Sequence, residues 1–218
     1  MSKVLILEQT VSYKTYDETI QDTKDPNHAI YMNLFQHAKL ISKYSNVPCP
    51  DIGLSNAITV VNEFTGILCE EYAAYSYHIN DFPQLHNSLI LVSLRLFDET
   101  YASNITTNIE LYRVGVLAHE IRHIWQKKYD PEIVKNYAQG YVDSLFNPAE
   151  VDADGFGIWF LSNFFNISHE DAASILCASE KIYHPKAYTY RLKKAKELES
   201  IYTKTSTWNK NKKFPKCP

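Results

Sequence analysis

Val114-Gly115-Val116-Leu117-Ala118-His119-Glu120-Ile121-Arg122-His123-Ile124-Trp125-Gln126 is the stretch around which this chain organises itself. Its apolar positions, preceded by Ile109 and Leu111, recur at helical intervals, with Gly115 as a weak interruption. Thr106, Thr107 and Asn108 offer N-cap side chains, and Glu110 puts negative charge in the first turn. A helix over residues 109–128 follows. On it His119 and His123 lie one turn apart on one face, so their imidazoles can hold one metal ion between them. Glu120 sits beside the first of them and can reach a water at that metal. In a chain with 8 histidines a chance match to this pattern is expected roughly 2% of the time, so its surroundings decide its meaning.

A catalytic zinc site has three protein ligands and one open position. Asn147-Pro148-Ala149-Glu150-Val151-Asp152-Ala153-Asp154 offers the third. Asn147 reads as an N-cap and Pro148 as the first helical residue, and the helix continues through Phe156, Ile158, Trp159, Phe160 and Leu161. Glu150 and Asp154 are four apart and point the same way, whereas Asp152 falls nearly opposite. Three roles compete here. Glu150 can be a ligand, Glu150 can close a capping box with Asn147, or Asp152 can be the ligand instead.

His119-Glu120-x-x-His123 followed by Glu150-x-x-x-Asp154 resembles the gluzincin pattern of thermolysin-like and related minimal zinc metallopeptidases. The resemblance covers residues 114–161. It implies Zn2+ held by His119, His123 and Glu150, with Asp154 bonded to His119 and orienting its ring. It also implies Glu120 as general base, taking a proton from the attacking water and passing it to the leaving amine of a peptide or protein substrate. Tyr141, at the spacing from Glu150 where thermolysin-like enzymes carry an oxyanion-stabilising tyrosine, is one candidate for that role. His184, with Tyr183, Tyr188, Tyr190 and Arg191 nearby, is the other; with 16 tyrosines in the chain, most must be packing residues. The metzincin extension is excluded, because Gln126 and Tyr129 stand where Gly and His are needed. Two alternatives stay open. One is a non-peptidase metal hydrolase of deformylase type, using Cys69 as a ligand. The other is a catalytically silent metal-binding interaction protein.

Elsewhere the pattern predicts an α+β fold of zincin type, with strands first and helices after them. Strands are expected over Lys3–Tyr13, Ile58–Phe64, Tyr72–Ile79 and Ser88–Phe97. Helices are expected over Pro26–Tyr44, Glu132–Leu145, Ser168–Ile182 and Ala187–Tyr202, besides the two already described. Ser88–Phe97 reads either as an edge strand able to pair with substrate or as a central strand buried on both faces. One domain over residues 1–203 and a basic tail over 204–218 account for the 218 residues, 45% of them hydrophobic. Arg122 and Gln126 read as surface polar groups, and Arg191, Lys193, Lys194 and Lys196 as a solvated helix face. The other histidines, such as His78 and His169, lack ligand spacing.

The four cysteines are far apart, so no disulfide framework is indicated. A net charge of -3 gives no general drive towards nucleic acid, although the basic C-terminal region allows weak contact with an acidic partner. No apolar run is long enough to span a bilayer, and the first residues reach a charge too soon for a signal peptide. A cytoplasmic protein is the expectation. Oligomeric state is not legible.

Overall fold

The computed structural model describes residues 2–6, 9–56, 58–61, 68–70, 73–80, 82, 84–98, 108–138 and 144–205. The strands are β1 (Ser2–Ile6), β2 (Gln9–Lys14), β3 (Asp51–Ser55), β4 (Thr59–Val61), β5 (Leu68–Glu70), β6 (Ala74–Tyr77) and β7 (Leu89–Ser93). The helices are α1 (Tyr16–Gln21), α2 (His28–Ser45), α3 (Ile109–Tyr129), α4 (Pro131–Ala138), α5 (Pro148–Phe165), α6 (His169–Leu176), α7 (Ala178–Tyr183) and α8 (Pro185–Thr205). The fold is α+β: strands crowd the first half and helices the second.

Five strands form a mixed sheet in the order β1-β2-β3-β7-β6, and β4 pairs with β5 apart from it. Lys3–Tyr13 is therefore not one strand but a hairpin, with Ile6 opposite Gln9. Its apolar run carries no Gly or Asn to mark the reversal, which is why periodicity reads straight through it. β7 lies inside the sheet, parallel to β3 and antiparallel to β6. Its side chains alternate between two cores, Ile90 and Val92 on one side and Leu89 and Leu91 on the other. Burial on both faces selects its continuous apolar run and settles it as a central strand. Among the described residues the edge next to it belongs to β6.

The larger core packs α2, α3, α5 and α8 against one face of the sheet. Phe35, Ile41, Leu117, Ile121, Phe156 and Phe160 are almost fully buried there, and each such side chain contributes about 1.5–3 kcal/mol of transfer free energy. Local signals delimit the helices. Asn108 caps α3 by accepting from Leu111 N–H. Asn147 caps α5 by accepting from Ala149 N–H at 2.8 Å, and Pro148 starts it. Asn46 and Asn166 end α2 and α5 in the left-handed conformation that asparagine tolerates. Residues 168–182, expected as one helix, break at Cys177 into α6 and α7. Helix α8 continues to Thr205, two residues into the expected tail, and residues 206–218 lie outside the described residues.

The crossing of α3 and α5 matters most for the site. A Cβ on Gly157 would lie 3.1 Å from the Gly115 carbonyl oxygen and 2.7 Å from Leu176 Cδ2. Only glycine permits so close a backbone approach. The crossing sits one turn before His119 on α3 and one turn after Asp154 on α5, and it sets those two side chains against each other. Helix α8 then covers α5, with Tyr202 stacked on Trp159 at 4.3 Å.

Candidate metal centre

His119, His123 and Glu150 each bring one ligand atom into a common space, and those atoms all lie within 4.8 Å of one another. The two Nε2 atoms are 2.9 Å apart. Glu150 Oε2 is 3.3 Å from His119 Nε2, and Glu150 Oε1 is 3.4 Å from His123 Nε2. The carboxylate of Glu150 therefore points at the histidines. The cap of α5 uses the Asn147 side chain and Ala149 N–H.

The Nδ1 side of each ring is committed elsewhere. His119 Nδ1 donates to Asp154 Oδ1 at 2.7 Å. Behind it, Arg191 Nε on α8 donates to Asp154 Oδ2 at 2.5 Å, and Arg191 Nη1 donates to Leu145 O at 2.9 Å. His123 Nδ1 donates to Gln126 Oε1 at 2.8 Å. With Nδ1 carrying hydrogen on both rings, the lone pairs of the neutral forms reside on the Nε2 atoms. Two lone pairs and a carboxylate converging at such distances repel one another unless a cation lies among them. This group could hold a metal ion.

Electrostatics point the same way. Burial disfavours charge on His119, yet Asp154 and Glu150 outweigh it and hold its pKa well above the ordinary imidazole value. His123 is likewise buried and raised, by Glu150 against the opposing charge of His119. Burial penalises the Glu150 carboxylate, but His123 and His119 bring its pKa well below the ordinary range. The cluster is thus built to hold positive charge, and protons compete with a metal for the same atoms. The N-terminal turns of α5, where Glu150 and Asp152 sit, add the favourable end of the helix dipole.

Glu120 is buried, next to His119 on α3. Edge strand β6 packs on α3. Burial and then the negative charge of Glu120 push the Tyr77 phenol on this strand up to about 12. Tyr77 had no signal beyond its place in a short strand.

Asp152, the alternative ligand, faces away from the cluster. Arg122 Nε donates to its Oδ2 at 2.7 Å and Arg122 Nη2 to its Oδ1 at 3.2 Å, and Lys194 Nζ is 3.1 Å from Oδ1. Arg122 and Gln126, expected at the surface, are buried at 4% and 0% exposure. Arg191, expected on a solvated face, is 3% exposed. The missed signal is spacing. Ala118, Arg122 and Gln126 are four apart on the buried stripe of α3, and Ala187, Arg191 and Ala195 repeat this on α8. A polar residue on an apolar stripe marks a buried network.

Tyr141 lies outside the described residues. His184 is exposed at the end of α7, where its backbone N–H donates to Glu180 O, and it makes no hydrogen bond or ion pair with the cluster. Cys49 and Cys177 are free thiols, and the side chain of Cys69 lies outside the described residues. Among the described residues no helix is long and apolar enough to cross a membrane.

No family model, no curated protein and no solved structure matches this chain. Its chemistry is read from the site itself.

Proposed function

We propose that this protein is a zinc-dependent metallopeptidase of gluzincin type, with His119, His123 and Glu150 holding Zn2+ and Glu120 acting as general base. The observation that carries the reading is the convergence of three ligand atoms whose supporting groups are already satisfied, one residue away from a buried glutamate. The donor set fits. Two imidazoles and one carboxylate are a known catalytic zinc set. Each Glu150 oxygen faces one imidazole, Oε2 at 3.3 Å from His119 Nε2 and Oε1 at 3.4 Å from His123 Nε2, and the two Nε2 atoms are 2.9 Å apart.

Zinc, when bound, supplies a Lewis acid that polarises water and a substrate carbonyl. The remaining work belongs to the chain. Glu120 accepts a proton from the attacking water on its carboxylate and returns it to the leaving amine. Asp154 and Gln126 keep the two rings turned so that Nε2 faces the open space. Among the described residues β6 ends the sheet alongside α3, and backbone pairing of an extended peptide at such an edge is the substrate mode that fits the proposal. Deformylase-type chemistry would call on Cys69, whereas Glu150 already occupies the third place in this cluster.

Elemental mass spectrometry on wild type, Glu150→Ala and Asp152→Ala, followed by a peptide-library screen, tests the reading. About one zinc per chain is expected in wild type, lost with Glu150→Ala and kept with Asp152→Ala. Glu120→Gln is expected to keep zinc and to lose about 10²–10⁴-fold in cleavage rate. Wild type that takes up no zinc at neutral pH overturns the proposal. Zinc uptake without cleavage of any library peptide leaves a metal-binding interaction protein, and cleavage indifferent to Glu120→Gln overturns the role of Glu120 as general base.

A further inference from the structure

Gln126 makes three hydrogen bonds inside the core, and the polarity of each is dictated by its neighbours. Its Nε2 lies 2.8 Å from Ala149 O and 2.9 Å from Asp152 Oδ2. A carbonyl oxygen and a carboxylate paired with arginine can only accept, so both amide hydrogens are committed there. The remaining atom, Oε1, can only accept in turn, and it meets His123 Nδ1. His123 must then carry hydrogen on Nδ1, which leaves the lone pair of the neutral ring on Nε2. That is the atom facing Glu150 and His119.

The geometry points to Gln126 as a positioning residue that sets the tautomer and the orientation of His123, in a bond order imposed by the Arg122–Asp152 pair. The inference rests on the zinc reading above. Asp152 cannot rotate to relax the order. Arg122 grips both of its oxygens, and the guanidinium is itself held over Trp125 at 3.6 Å and donates to Tyr202 Oη at 3.2 Å. A glutamate at position 126 would bring like charge against Asp152. A carboxamide alone offers donors to Asp152 and Ala149 together with an acceptor for His123. The relay thus links Tyr202 on α8 to a ligand on α3 through groups that never touch the metal.

A double-mutant cycle on zinc affinity, read by competition with chromophoric chelators over a wide range, tests this on the full chain. Gln126→Met in the wild-type background is expected to weaken zinc by about 10–100-fold. With His123→Ala already present, the same change is expected to matter by less than about threefold, because the residue through which Gln126 acts is gone. Equal effects in the two backgrounds show a general structural role and overturn the inference, as does an unchanged affinity for Gln126→Met. Failure of the zinc reading shows separately, as no effect of His123→Ala itself. Imidazole nitrogen NMR on the zinc-loaded wild-type chain covers the case in which Gln126→Met does not fold. His123 is expected to carry hydrogen on Nδ1 and metal on Nε2, and metal on Nδ1 overturns the inference.

Discussion

His119 and His123 stand one turn apart on α3, yet they are braced by opposite kinds of partner. His119 leans directly on a carboxylate, Asp154, whose second oxygen is held by buried Arg191. His123 leans on a neutral carboxamide, and the carboxylate Asp152 stands one bond further back, held by Arg122 and Lys194. A direct anion both aims a ring and raises its basicity, whereas an amide only aims it. The two arms also share a design. Each starts at a carboxylate on α5 and ends at a cation from α3 or α8. Buried carboxylates require such compensation, and its removal exposes how much each arm depends on charge.

The comparison breaks most decisively at Asp154. Asp154→Ala removes the acceptor of His119 and leaves the Arg191 guanidinium buried without it. A loss of about 3–5 kcal/mol in unfolding free energy is expected in urea titrations, together with zinc binding weakened towards the ~100-fold end of the range for such partners. If zinc affinity falls no further than in Gln126→Met, the distinction between anionic and neutral support is lost. On the other arm, Arg122→Leu leaves Asp152 with Lys194 as its remaining cation. The expected destabilisation is smaller, about 3 kcal/mol, and zinc weakens by under about tenfold, since the effect must pass through Gln126. Equal zinc losses for the two variants would place the two carboxylates on the same footing.

Asp51 on β3 is another buried carboxylate, and it sharpens the contrast. Its partner is the neutral Asn87 amide at 3.5 Å. Burial, against the help of Asn87 and with Glu18 adding repulsion, pushes its pKa up from 3.8 to about 6. A carboxyl group raised in the folded state binds its proton more tightly there than in the unfolded chain. Its stabilising contribution is complete below pH 3.8 and is lost as pH rises through 6. Asp51→Asn is therefore expected to match wild type near the acid end of this window and to exceed its stability by about 3 kcal/mol above pH 7. Urea midpoints measured at the two ends check this. No gain at neutral pH would mean that Asp51 is compensated much as Asp152 and Asp154 are.

The legible parts of the molecule were those in which spacing along the chain equals spacing in space. The limits of α3, the start of α5, and the caps at Asn108 and Asn147 are local matters, set by helical period and capping chemistry. The first hairpin was missed because its turn lacks turn residues, and β7 could not be assigned to edge or centre because the sheet order depends on a parallel partner far away in sequence. Arg122, Gln126 and Arg191 were misread for a related reason. Charge and polarity mark a surface position only when no complementary group waits inside, and their complements lie on other helices.

By itself the sequence determined that His119 and His123 share one helix face, and that Glu150 and Asp154 share another, because four residues make about one helical turn. The tertiary structure decided that these faces meet, through the glycine crossing of α3 and α5, and that Asp152 turns away to serve Arg122 and Gln126. It also decided what braces each ring, because a buried polar atom takes its partner from whatever lies within hydrogen-bond reach, and that distance is measured through the core.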